Sequence, residues 1–385
     1  MRRFSLHEPQ LKGNEKRNLG KCIDTSWLSS SGNFVNSFEK KLEVFTGSNV
    51  VCCNSGTSAL HISLIMAGVK KDQEVIVPTI TFIATVNVVL YCGANPIFMD
   101  CDDSLCLDIK KLLNFLRDNT YTNKKNTYNK KTRKKISAIL VTHVFGNLTE
   151  LKKLKKVCKL KNIKLIEDAA ESLGSFYTDG NIHSGTIGDY AALSFNVNKI
   201  ITAGSGGAIL FKNIKEKKKI KRLISQGKVD NLLFKHKFLG YNYGMPNTNA
   251  AIGFAQLENI ETILKKKKKI NSYYRNFFSG IKNIQMIQQN DNQKQNFWLN
   301  VVKLKEINYL MFKKIINELI KGSIDVRPVW YPCHMQDYLK KYETYKISLA
   351  KKIYKDALCL PSSYFLNKND LSKICKKISN VLKKK

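Results

Sequence analysis

Lys199 closes the segment Ser194-Phe195-Asn196-Val197-Asn198-Lys199, which follows an apolar run and precedes the glycine-rich turn Ala203-Gly204-Ser205-Gly206-Gly207. Among 65 Lys and Arg residues a single lysine means little. Its setting distinguishes it, because the sequence neighbours are apolar or neutral and favour an uncharged, nucleophilic amine. Upstream lies Ile166-Glu167-Asp168-Ala169-Ala170-Glu171, an acidic cluster at the end of another apolar run. In parallel sheets ligands sit at the carboxyl ends of strands. Asp168 there either caps the next element or holds a protonated ring nitrogen, since an ion pair favours both charged forms. A third piece, Ser55-Gly56-Thr57-Ser58, joins an apolar run to a stretch with helical spacing. It reads as a plain N-cap or as an anion site, in which free N–H groups and the hydroxyls face a phosphate.

The elements that must position these groups alternate. Short apolar runs at 49–54, 74–77, 96–99, 138–144, 164–166, 191–195 and 207–211 read as strands, and 59–68 and 151–160 have helical spacing. Strands alternating with helices predict a largely parallel sheet covered on both faces, an α/β fold. Residues 119–135 are polar and low in complexity, so they read as a solvated surface insertion. After about residue 250 the pattern turns to lysine-rich helices with a few strands, including 297–304. The division expected is a large domain over 1–250 and a smaller one over 251–385.

Composition narrows the class of protein. The 385 residues are 43% hydrophobic, enough for a sizeable core. No run reaches the roughly 18 apolar residues of a membrane span, and the N-terminus has no apolar signal core, so a cytoplasmic protein is expected without membrane insertion. Ten scattered cysteines contain no CxxC pair, which predicts reduced thiols and no metal site. The formal net charge of +35 suggests nucleic acid at first sight. The basic residues are mostly lysines spread over many segments, without interleaved aromatics to stack on bases, so no nucleic-acid partner is expected.

Taken together the motifs resemble the DegT/StrS sugar aminotransferase family of fold type I pyridoxal phosphate (PLP) transferases. The resemblance begins at Glu8-Pro9 and Asp24-Thr25-Ser26-Trp27 and runs through Asn54 to Leu60, Val77 to Thr85, Glu167 to Glu171 and Ser194 to Lys199. It ends with Gly240-Tyr241-Asn242-Tyr243, Pro246-Asn247, Arg327-Pro328-Val329-Trp330 and Leu360-Pro361-Ser362-Ser363. It implies that Lys199 carries the cofactor covalently and acts as the catalytic acid and base. Asp168 is then the partner of the pyridine nitrogen and Glu171 that of the ring hydroxyl. Gly56, Thr57 and Ser194 would grip the phosphate and Phe82 would stack on the ring, although Phe82 also reads as a core residue. Arg327 and His334 fall in the region bordering the sugar, and both read equally as surface or interface residues. A homodimer with shared active sites is implied, acting on a nucleotide-linked keto sugar with an amino-acid donor, usually glutamate. The segments 24–32, 240–247 and 327–330 look most like the branch acting on UDP-4-keto-6-deoxy-N-acetylglucosamine, with the GDP-perosamine branch second. Relatives that are sugar dehydratases carry histidine where this chain has Lys199, and a regulatory paralogue is the remaining alternative.

Four positions depart from the family pattern. Gly244 stands where an arginine or asparagine would reach the phosphate across subunits, with Asn247 or Asn242 as possible substitutes. Ser205, Val197 and Ser26 replace residues that are usually smaller or of another type. They are expected to alter the local turns and, at Ser26, the sugar pocket.

Overall fold

The computed structural model describes residues 3–230, 232–288 and 292–383. The apolar runs form an eight-stranded sheet in the order Asn49–Cys53, Gly207–Phe211, Tyr190–Ser194, Lys164–Asp168, Ile136–Thr142, Glu74–Pro78, Asn95–Met99 and Thr344–Tyr345. Only Gly207–Phe211 runs against its neighbours; the other pairings are parallel. Every residue of Glu74–Pro78, Ile136–Thr142 and Gly207–Phe211 is buried, which is why these strands are mostly apolar and do not alternate, with Glu74, Ser137 and Thr142 as buried polar exceptions. Strand periodicity still sorts the side chains. Val50 and Cys52 join the core on one face, while Val51 and Cys53 join the core on the other. All ten cysteines are free.

Helices begin where the sequence supplies caps. The helix Gly56–Met66 starts three residues before the expected 59, because Ser55 Oγ accepts the Ser58 amide at 3.0 Å. Lys152–Leu160 forms as its spacing predicts. Beyond residue 280, a four-stranded antiparallel sheet orders Ile284–Met286, Asn300–Leu304, Ala357–Leu360 and Arg327–Pro328. Its core of Tyr274, Phe278, Phe312, Ile374 and Ile378 comes from the helices Ile260–Phe278, Tyr309–Lys321 and Lys368–Lys383. Among the described residues no helix is long and apolar enough to cross a membrane.

Residues 119–135 lie mostly on the surface as read, but they are ordered, and Thr120, Thr127 and Asn129 are buried. Thr120–Asn123 and Asn126–Asn129 pair as an antiparallel hairpin, turned by Lys124 and Lys125, both at positive φ. Tyr121 and Tyr128 stack across it with centroids 5.5 Å apart. Asn129 is fully buried and donates to Glu74 at 3.1 Å and to Glu343 at 2.7 Å. Low sequence complexity concealed alternating Thr and Tyr positions that suit a hairpin.

The sheet also brings the chain against itself at one tight point. A Cβ on Gly207 would lie 2.5 Å from the Ser55 carbonyl and 2.6 Å from the Gly56 nitrogen. Both neighbours are backbone, so nothing flexible can yield. Gly207→Ala is expected to cost on the order of 1–3 kcal/mol as overpacking. Thermal unfolding should show a lowered midpoint.

Candidate active site

At the carboxyl ends of the central strands lies a cleft of about 320 Å³. The three sequence pieces meet there: Gly56 and Thr57 at a helix start, Asp168 at a strand end with Glu171 in the following turn, and Ser194 with Lys199 after the next strand. Phe82 also lines it, half exposed as the residue before the helix Ile83–Tyr91.

At the helix start the N–H groups of Gly56 and Thr57 lack carbonyls one turn back, so they remain available to an anion. Ser194 packs so closely that a Cβ on Gly56 would lie 2.8 Å from its Cβ. Only glycine lets the helix terminus and this strand end share one side of the cleft. Ser205, also on the lining, donates to the Asn54 carbonyl at 2.8 Å and fixes the glycine-rich turn against the same loop.

The opposite end is acidic. Asp168 is 5% exposed, accepting Thr85 Oγ1 at 2.6 Å and the Ala170 amide at 3.1 Å. Burial pushes its carboxyl above the usual range, against the lowering by Thr85, Ala170, Lys199 and His143. Glu171 is likewise pushed up by burial, although Lys199 and the Phe145 amide oppose this. It accepts Lys199 Nζ at 3.1 Å and the Phe145 amide at 2.9 Å. Phe145 holds that amide in place with a left-handed φ of 55°, a conformation non-glycine residues adopt at a cost.

The expectation of neutral surroundings for Lys199 therefore holds along the sequence and fails in space. Its ammonium faces Glu171 and sits 4.1 Å from the centroid of the Trp298 ring. Trp298 is a lining residue that sequence reasoning missed, as are Thr81 and Thr142. Two of the chain's three tryptophans, Trp298 and Trp330, line the cleft. A tryptophan just before a strand in a polar stretch was the available signal for Trp298. Its indole N–H donates to the Asn198 carbonyl at 2.6 Å, which ties it to the Lys199 turn.

Two predicted residues are not brought into the cleft. Arg327 is exposed on the edge of the small sheet and donates to Asp325, two residues before it, at 2.5 Å. His334 is buried behind the cleft wall, with Nδ1 2.7 Å from Thr79 Oγ1, and burial pushes it down to about 4. It is therefore neutral at ordinary pH. Gly244 packs against Ser30, where a Cβ would lie 2.9 Å from the serine Cβ. Asn247 is committed elsewhere: its side chain accepts the Phe34 amide and donates to the Trp27 carbonyl. Ser26 has a φ of 54°, the region glycine occupies without strain.

This constellation fits PLP. A buried carboxylate on the lining with no cation on its own oxygens suits a pyridinium, the helix start suits a phosphate, and an amine lies between them. The fold and site are those of a PLP-dependent aminotransferase acting on sugars. The pattern of the DegT/DnrJ/EryC1/StrS aminotransferase family matches residues 9–379, and the chain belongs to that family. Among its relatives is a GDP-perosamine synthase of Caulobacter vibrioides, 32% identical over 383 residues and covering 99% of this chain and 98% of that protein. A UDP-4-amino-4,6-dideoxy-N-acetyl-beta-L-altrosamine transaminase of Campylobacter jejuni is 30% identical over 361 residues, covering 93% and 92%. The fold matches the PLP form of a sugar aminotransferase from Streptococcus pneumoniae with a TM-score of 0.89 at 22% identity, over 100% of this chain and 99% of that one. The fold is thus the fold type I α/β architecture expected.

Lys199→Ala is expected to abolish the yellow absorbance of the lysine-bound cofactor while leaving circular dichroism unchanged. Asp168→Asn should retain the covalent link and lose most of the turnover. Absorbance spectra after incubation with PLP, followed by borohydride reduction and peptide mass mapping, check the covalent link in both variants, and the rate of amino-sugar formation checks the turnover.

Proposed function

We propose that the chain transfers an amino group from an amino acid, glutamate being the donor expected, to the C4 ketone of a nucleotide-linked 4-keto-6-deoxy sugar. The product would serve surface polysaccharide or glycan synthesis. The observation that carries the reading is the meeting of Lys199, Asp168 and Glu171 with the helix start at Gly56 and Thr57 in one cleft. When bound, the cofactor supplies an electron sink and a temporary seat for the amino group. The chain does the rest. Asp168 would favour a protonated ring nitrogen, Gly56, Thr57 and Ser194 would hold the phosphate, and Phe82 would pack against the ring. The Lys199 amine would act as the acid and base, taking up and returning protons at Nζ. Glu171, 3.1 Å away, holds that amine within the cleft. Trp298 and Trp330 reduce water access at the reacting end.

For the sugar, GDP-perosamine synthases from several bacteria at 31–32% identity favour a GDP-linked substrate. A UDP-linked N-acetyl sugar is the second reading, supported by the Campylobacter transaminase at 30%. Incubation with PLP, glutamate and both classes of 4-keto sugar, followed by mass analysis, separates them. The expected result is amino-sugar product from the GDP-linked substrate, several-fold or more faster than from the UDP-linked one. No product from either class would sink the proposal.

A homodimer is proposed with it. Supporting this, the segment carrying Leu232, Phe234 and Leu239 leaves those side chains 86%, 69% and 81% exposed, an apolar surface unusual on a monomer. Light scattering should give twice the chain mass for the wild type, and Leu232→Asp with Phe234→Asp should shift the protein towards monomer. A monomeric wild type would refute it.

A further inference from the structure

The acid at the centre of the site is held by a line of hydroxyls that the reaction above does not use. Thr85 Oγ1 donates to Asp168 Oδ2 at 2.6 Å, Thr81 Oγ1 lies 2.8 Å from Thr85 Oγ1, and Thr142 Oγ1 lies 2.9 Å from Thr81 Oγ1. These residues come from three elements: the turn after Glu74–Pro78, the first turn of Ile83–Tyr91 and the end of Ile136–Thr142. None is more than 2% exposed.

Chemistry fixes the direction of the line. An ionised carboxylate can only accept, so Thr85 gives its proton to Asp168. Its oxygen then accepts from Thr81, and that of Thr81 accepts from Thr142. Each hydroxyl dipole points at Asp168, and aligned donors strengthen one another. The other titratable groups nearby are Lys199, Glu171 and the His143–Glu167 pair, whose contact of 2.8 Å occupies both partners.

We propose that Thr142, Thr81 and Thr85 form a positioning relay that keeps Asp168 ionised and turns its remaining lone pair into the cleft, so that the shared proton stays on the ring nitrogen of PLP. This rests on the assignment of Asp168 as partner of that nitrogen. Burial favours the protonated acid, and a hydroxyl donor favours the charged form. Without the relay the proton would move from the ring to Asp168, and the ring would draw electrons less strongly.

The test is the ¹⁵N chemical shift of the ring nitrogen in protein reconstituted with ¹⁵N-labelled PLP, together with the Kd for PLP. Thr85→Val should move the shift towards the unprotonated ring and weaken PLP binding roughly tenfold, as expected for losing a hydrogen bond to a charged group. Thr81→Val should move it the same way by less, and Thr142→Val least, while Thr85→Ser restores the wild-type shift. Thr81→Val touches no carboxylate and keeps the test alive if Thr85→Val fails to fold. An unmoved shift in Thr85→Val, or in Thr81→Val where only that variant folds, overturns the relay. Asp168→Asn separates the two ideas: if it moves the shift and the threonine variants do not, only the relay fails. If Asp168→Asn leaves the shift unchanged, the assignment of Asp168 fails and the relay with it.

Discussion

Three carboxylates within five residues, Glu167, Asp168 and Glu171, are all buried at one strand end, and compensating that charge constrains everything around it. Glu167 is fully answered. Burial pushes it up, yet the His143 contact and the amides of Gly188 and Gly185 bring it below its ordinary value. Asp168 and Glu171 are answered only in part and remain raised by burial. The satisfied acid braces the strand end from behind. The two acids that remain raised line the cleft, and Glu171 lies against the amine of Lys199. Perturbed acids facing a cleft are the usual mark of a working site.

That division explains the architecture around them. Parallel strands running from 136 to 194 deliver Thr142, Asp168 and Ser194 to the same edge. The one antiparallel strand, Gly207–Phe211, returns the glycine-rich turn to the Ser55–Gly56 loop. Residues from beyond 290 complete the wall: Trp298 lies under the Lys199 ammonium, and Trp330 packs 4.6 Å from Phe145, whose amide serves Glu171. The cleft thus depends on distant parts of the chain that meet only when the fold closes.

Much of this was legible in the sequence. The strand ends that carry Asp168 and Lys199 were apolar runs broken by polar residues, and Ser55-Gly56-Thr57-Ser58 showed its cap chemistry directly. What escaped were relations between side chains far apart in sequence. Glu171 approaching Lys199 across 28 positions overrode a neighbourhood that looked neutral. Trp298 could be placed only once the strand Asn300–Leu304 had a partner. The hairpin within 120–129 was hidden because its stability comes from a tyrosine stack and a buried Asn129, which composition does not reveal. Periodicity reports burial of one face; it carries no information on which polar atoms meet across the core.

A Cβ at position 244 would meet the exposed Ser30 side chain alone, 2.9 Å from its Cβ and 3.0 Å from its Oγ. Position 244 and position 30 are therefore epistatic. A larger residue at 244 requires Ser30 or its loop to give way by a few tenths of an ångström, so what a substitution at 244 costs depends on which residue stands at 30.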